Sequence, residues 1–505
     1  MSNANAYAAF ERSFAINAAK PALELDSGET CTYSALDRES GRCAAALHSF
    51  GLQRGDRVAV QVEKSPQSLF LYLACLRAGL VYLPLNTAYR LPELAHFLSD
   101  AEPSLVVCSP HAAAGIRELV RNSGLHAHVV TLDTSGGGSL SKAVRQAAAR
   151  FTTATMAPDE LAAIIYTSGT TGRAKGAMLT HRNLVSNATV LVDTWGFTSE
   201  DVLLHALPIF HVHGLFVANH CALLAGAKLL WRAKFDARTI LSDLPRATVM
   251  MGVPTYYTRL LAEPGFTTEI CARMRLFISG SAPLLLDTFR EFQARTGHTI
   301  LERYGMSEAG MITSNPLIGA RRGGTVGLPL SGVSVRIVDT RDCPLPAGQN
   351  GAIQIRGDNV FAGYWRNPQK TREEFTEDGW FRTGDVGVFD TDGYLAIVGR
   401  AKDLIISGGY NVYPKEIELI IDAMPGVVES AVVGVPHPDF GEAVTAVVVL
   451  DPLASPLTEG AVIAYLKTQL ANYKIPKRVQ FVPALPRNAM GKVQKIQLRG
   501  KLAPL

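Results

Sequence analysis

The run "YTSGTTGRAKGAMLTHRN", residues 166–183, decides how this chain is to be read. It follows "LAAIIY" (161–166), an apolar run that reads as a buried strand. Ser168, Thr170 and Thr171 offer hydroxyl groups, while Gly169 and Gly172 let the backbone curl so that its N–H groups converge on an anion. Lys175 adds a point charge. A loop of this composition can hold phosphate. It is not the ordinary P-loop, because Gly172 is followed by Arg173 and Lys175 by Gly176, which breaks G-x-x-x-x-G-K-[ST]. A plain Gly/Thr turn is the alternative for the segment taken alone.

Working outward, short apolar runs alternate with longer amphipathic ones. "DRVAVQV" (56–62), "PSLVVCSP" (103–110) and "LHAHVVTL" (125–132) read as strands, and "SLFLYLACLRAG" (68–79) as a buried helix. Strand and helix in alternation predict an α/β fold with largely parallel sheets. From residue 332 to 400 short strands separated by turns predict a smaller β-rich unit, and "DTSGGGSLSKAV" (133–144) reads as a mobile surface loop. After Arg400 the pattern restarts as an α+β module of about one hundred residues. The expected division is a large N-terminal domain, 1–399, and a small C-terminal domain, 400–505.

Bulk composition excludes several functions. The 505 residues carry 49 basic and 45 acidic side chains, a net charge of +4, with the basic residues scattered rather than clustered as a nucleic-acid footprint requires. No uncharged apolar run reaches the ~18–20 residues that span a bilayer. The seven cysteines form no C-x-x-C pair and are odd in number, so reduced thiols and a cytoplasmic location are expected.

The loop resembles the signature of the adenylate-forming superfamily, which includes acyl-CoA synthetases, adenylation domains and firefly-type luciferases. Six further stretches agree, in the family's order: "LPIFHVHG" (207–214), "SGSAP" (279–283), "ERYGMSE" (302–308), "WFRTGDVG" (380–387), "GRAKDLIISGGYNVYPKEIE" (399–418) and "PRNAMGKV" (486–493). The resemblance implies ATP, Mg²⁺ and coenzyme A as small-molecule partners beside a carboxylic acid.

It also implies roles for particular residues. Glu308, assisted by Thr167, resembles the magnesium-binding carboxylate, and oxygen donors suit that hard cation. Thr167, Ser168, Gly169, Thr170, Thr171, Gly172 and Lys175 would line the phosphates. Gly280, Ser281 and Ala282 would flank adenine opposite Tyr304, with Gly305 and Ser307 beside it. Asp385 resembles the acid that accepts both ribose hydroxyls, and Arg400 would contact the nucleotide from the domain boundary. Lys492 resembles the lysine that drives acyl-adenylate formation, stabilising charge on the carboxylate and α-phosphate. Lys402 occupies the hinge position, and after domain rotation Gly408 and Gly409 would line a thin channel for the coenzyme A thiol arm. Related enzymes are switched by acetylation at the catalytic lysine, which makes a lysine acetyltransferase and deacetylase candidate partners at Lys492.

The acid is read from one residue. Many relatives have glycine or another small residue before the Tyr-Gly pair, where this chain has Arg303. If the segment is extended, Glu302 and Tyr304 point to the face opposite Arg303, so Glu302 is a poor partner for it. A buried unpaired guanidinium costs several kcal/mol. A second carboxylate on the substrate would satisfy it bidentately, selecting a short dicarboxylic acid over an apolar chain. The form of the motif resembles that of malonyl-CoA synthetases, with Arg259 a candidate second clamp and His211 a hydrogen-bond partner for the acid. Methylmalonate would also be tolerated. The alternatives are an acyl-CoA synthetase for another short, medium-chain or aryl acid with Arg303 paired internally, a domain loading a carrier protein, and a non-catalytic nucleotide-binding homologue.

Overall fold

The computed structural model describes residues 3–168, 174–407, 410–437, 440–455, 457–488 and 491–502. Short runs that are apolar on both faces become parallel strands, because only a sheet covered on each side buries such runs completely. Among the described residues one six-stranded sheet runs in the order His128–Thr131, Leu105–Cys108, Arg57–Gln61, Val81–Pro84, Leu161–Ser168 and Ala174–Thr180. Its first five strands are parallel and the last turns back antiparallel. In that final hairpin Thr167 pairs with Lys175.

A nine-stranded sheet carries the acid-reading segment. Its central strands, Leu301–Met306, Leu276–Ser279, Val249–Gly252, Val202–His205 and Lys228–Trp231, are parallel neighbours in that order. Helix Pro66–Ala78 packs nearby with residues Leu71–Leu76 all buried, and it stops at Gly79 as its sequence predicts. An apolar surface all round is the mark of such a fully enclosed helix.

The expected β-rich unit is a four-stranded antiparallel sheet, Val333–Val338, Gly351–Gly357, Phe381–Phe389 and Leu395–Arg400. Beyond it, Ile405, Ile417, Ile421, Val432, Val444, Val462 and Leu466 share a separate core. A large N-terminal domain of several sheets is thus followed by a small α+β C-terminal domain.

One sequence expectation is corrected. Residues 133–144 are not wholly a loop, since a helix, Ser139–Gln146, begins within them and buries Leu140 and Ser141. The Asp133 carboxylate accepts from the Ser135 and Gly137 N–H groups and fixes the glycine turn that precedes the helix.

Strand Leu301–Met306 pairs parallel with Leu276–Ser279 and antiparallel with Gly310–Ser314. Extended backbone sends Glu302 and Tyr304 to one face and Arg303 to the other. Glu302 is 7% exposed, accepts from the Gly324 N–H at 3.3 Å, and has no ion pair among the described residues. Burial raises its pKa from 4.5 to about 8. A raised carboxyl contributes stability that is complete below the unfolded value and is lost as pH rises through about 8. Glu302→Gln removes that loss. Urea melts at pH 5, 7 and 9 should show the variant gaining on the wild type by about 2–4 kcal/mol across the range, whereas parallel pH profiles would contradict it.

Candidate active site

The two edges of the cleft meet at Glu308. It follows the arginine strand in the turn that leads into Gly310–Ser314, and it is buried. Its Oε1 accepts from the Thr167 hydroxyl at 3.1 Å and from the Tyr364 hydroxyl at 3.4 Å. Burial raises its pKa, which Thr167, Arg400 and Tyr364 partly oppose. The Tyr364 ring also lies 5.4 Å beneath the Lys175 ammonium, a cation–π contact. Tyr364 therefore touches both the carboxylate and the loop lysine. Nothing in the sequence reading singled it out; its aromatic context in "FAGYWRNP" was the only signal.

These donors fit a magnesium ion carried by the substrate. A buried carboxylate and a hydroxyl are hard oxygen ligands, and a divalent cation facing Glu308 would offset the cost of its buried charge. Among the described residues no three His, Cys, Asp or Glu side chains form a metal cluster, so phosphate oxygens and water would complete the shell. The loop residues Gly169, Thr170, Thr171 and Gly172, the Ser168 side chain, and Gly408 and Gly409 lie outside the described residues.

Asp385, on strand Phe381–Phe389, sits directly opposite Arg400 in the antiparallel register. Its Oδ1 pairs with Arg400 Nε at 3.2 Å, and its Oδ2 accepts from the Tyr304 hydroxyl at 2.5 Å. The carboxylate is thereby oriented, with both oxygens fixed in space. Tyr304 is thus tied to Asp385 through its hydroxyl. Gly305 is still on the strand, paired with Met311, Ser307 lies in the turn before Glu308, and Lys402 is in a short turn just past Arg400.

On the other face of the strand, Arg303 is 3% exposed. Its Nε and Nη2 are buried with no hydrogen-bond partner, and no described carboxylate forms an ion pair with it. Burial pulls its pKa down to about 9, opposed only by Tyr257, so it remains cationic at neutral pH. Two histidines approach the same charge. His213 is fully buried in a π-helical turn, His213–Ala218, with its Nδ1 3.3 Å from the Ser281 hydroxyl and its Nε2 unpartnered. His211 accepts from the His213 N–H through Nδ1, and burial with the Lys492 and Arg303 charges holds its pKa at about 3. Both rings are neutral and can only hydrogen-bond. π-helical turns are rare and gather at functional sites.

The π-helical turn has a buried support that the sequence reading missed. Lys64 donates to His205 Nδ1 at 2.6 Å and to the carbonyls of His205 and Leu207. His205 in turn donates from Nε2 to the Gly214 carbonyl at 2.9 Å.

Lys492 reaches this cleft from the C-terminal domain. Gly491 takes a left-handed conformation, φ 74°, that brings the loop against Thr255, where an added Cβ would lie 3.3 Å away. The Lys492 N–H donates to Asn488 Oδ1 at 3.0 Å. Burial, then the Arg400 charge, lowers its pKa to about 8, while Asp385 and Glu308 oppose the shift. A single ammonium thus lies within electrostatic reach of the nucleotide-side acids and of Arg303.

Arg259 is placed elsewhere. Helix Pro254–Leu261 buries Tyr257, Leu260 and Leu261, and two residues of helical rotation turn Arg259 to solvent beside Tyr256. The second clamp expected there is not assembled around Arg303 in this structure.

The chain matches the AMP-binding enzyme family over residues 10–365 and the AMP-binding enzyme C-terminal domain over residues 416–492. It is 38% identical over 481 residues to a sulfoacetate–CoA ligase of Cupriavidus necator, covering 94% of this chain and 93% of the other. A mitochondrial malonate–CoA ligase of Mus musculus is 37% identical over 487 residues, covering 89% and 82%. The solved structure of ATP-bound MatB from Rhodopseudomonas palustris superposes with a TM-score of 0.95 at 55% identity, covering 99% of each chain. Fold, cleft and relatives agree, and the chain belongs to the AMP-binding enzyme family as an acid–thiol ligase that forms an acyl-adenylate.

Proposed function

We propose that this enzyme is an ATP-dependent malonyl-CoA synthetase. The observation that carries the reading is Arg303, a buried guanidinium with two unpartnered nitrogens and no acid paired to it among the described residues. A second substrate carboxylate supplies the missing charge, and neutral His211 and His213 add hydrogen bonds without adding repulsion. Methylmalonate is accepted too, since one methyl group is a weak ground for rejection. Arg259 joins as a second clamp only if its exposed side chain swings inward.

In the first half-reaction the free carboxylate of malonate attacks the α-phosphorus of ATP, the α–β phosphoanhydride bond breaks, and pyrophosphate leaves. Lys492 stabilises the negative charge gathering on the attacking carboxylate and the α-phosphate. Asp385 holds the ribose, and Glu308 with Thr167 would hold a magnesium ion, which would supply charge neutralisation for the phosphates. Lys175, held over the Tyr364 ring, adds a positive charge on the phosphate side. In the second half-reaction the coenzyme A thiol, losing its proton to solvent, attacks the acyl carbonyl and AMP departs with the electron pair of the mixed anhydride.

Lys492 serves only the first of these steps, so we assign the boundary at residue 400, with Lys402 as hinge, to a rotation that exchanges Lys492 for the segment around Gly408 and Gly409. Seven unpaired thiols support a cytoplasmic setting, and no described helix is long and apolar enough to cross a membrane. Acetylation of Lys492 by a lysine acetyltransferase would switch the first step off; full activity after stoichiometric acetylation would exclude that switch.

A pyrophosphate-release assay with malonate, acetate, butyrate, octanoate and benzoate tests the substrate. Malonate should exceed each monocarboxylate by at least about 100-fold in kcat/KM, and equal turnover of octanoate would overturn the assignment.

A further inference from the structure

We infer that Gly280 is a specificity-determining residue, whose missing side chain is the space in which the Arg303 guanidinium lies. This deepens the malonate reading and rests on it. A Cβ built on Gly280 would stand 2.5 Å from Arg303 Cζ and Nη1 and 2.7 Å from Nε, all well inside van der Waals contact. The planar cation therefore lies flat across the Gly280 backbone. Gly280 follows strand Leu276–Ser279, the parallel neighbour of the arginine strand, and its N–H donates to the Gly252 carbonyl at 3.3 Å.

The next residue supports the same geometry. Ser281 holds a left-handed backbone, φ 73°, which is strained for a residue with a side chain. That turn carries its hydroxyl to His213 Nδ1. One turn, Gly280–Ser281, thus provides the floor beneath the cation and the hydrogen bond that fixes the neighbouring ring. Around the cation, Tyr257, His213 and Gly280 leave little room to retreat, since Tyr257 and His213 are fully buried and the Tyr257 hydroxyl is fixed on the Ile278 carbonyl at 2.6 Å.

Gly280 itself is not in a conformation reserved for glycine, so alanine changes the space and leaves the backbone unstrained. Gly280→Ala should move the guanidinium off its position and lower kcat/KM for malonate by about 100-fold, the loss that a displacement of about 1 Å produces at a reacting centre. The added methyl overpacks a buried site, so the Tm should fall by a few degrees, and any rise in the KM for ATP should be far smaller than the loss on malonate. Lysine carries a compact ammonium that does not lie flat, so in an Arg303→Lys background Gly280→Ala should change malonate kcat/KM by less than about threefold. Unchanged malonate kinetics in the single variant would overturn the inference, as would equal losses in both backgrounds or a rise confined to the KM for ATP. Failure of the malonate reading is told apart by the parent proteins, because Arg303→Lys would then match the wild type on malonate.

Discussion

Arg303→Ala should reduce kcat/KM for malonate by about 10²–10⁴-fold, since removing one member of a buried charge pair costs about 3–5 kcal/mol. Two effects combine. The far carboxylate loses a bidentate partner, and it is left in a pocket lined by the neutral rings of His211 and His213. The loss should not spread to the nucleotide. Tyr304, Asp385 and Arg400 meet on the opposite face of the strand, so the KM for ATP in an ATP–pyrophosphate exchange assay should change by less than about threefold. The variant should also fold at least as well as the wild type, because an unpaired buried guanidinium is a burden on the free enzyme. A fall in Tm of many degrees, or a matching rise in the KM for ATP, would show that Arg303 holds the fold or the nucleotide.

Lys492→Ala should abolish adenylation while sparing the second step. The ammonium lies within reach of Arg400, Asp385, Glu308 and Arg303, where acid and nucleotide must meet. Its loss removes a stabilising charge from a desolvated transition state, and about 10²–10³-fold or more in kcat is the expected cost. Malonyl-adenylate supplied directly should still react with coenzyme A within about fivefold of the wild-type rate, because thioester formation does not use this lysine. Loss of both steps would contradict the division of labour. The pH profile carries the sign of the same charge. With a pKa lowered to about 8, Lys492 is protonated at neutral pH and loses its charge as pH rises through about 8, so adenylation should fall on that alkaline limb. A Lys492→Arg variant should move the limb upward.

Much of this is legible in the sequence. Parallel strands announced themselves as short, continuous apolar runs, and the separate core after residue 400 followed from a restart of the helix and strand pattern. Pleat alternation alone separated Glu302 from Arg303, and the strand Leu301–Met306 has that geometry. What alternation could not reveal was whether a distant acid faces Arg303, because tertiary contacts decide that. Tyr364 and Glu308 are 56 residues apart and Lys64 and His205 are 141 apart, so their contacts left no local pattern to read. Arg259 had the right charge near the right motif, but the rotation of its helix turned it outward. At residues 133–144 glycine and serine content suggested mobility, whereas the Asp133 turn and two buried residues start a helix there.

Everything specific in the substrate assignment depends on the charge at the far end of the acid. Malonamate keeps the carboxylate that attacks ATP and nearly the whole shape of malonate, yet its far end is a neutral amide. Measured side by side by pyrophosphate release, wild-type enzyme should favour malonate over malonamate by about 10³-fold or more in kcat/KM, and Arg303→Ala should bring the two acids within about tenfold. Comparable turnover of malonate and malonamate by the wild type would contradict the account, since Arg303 would then not be reading a second carboxylate.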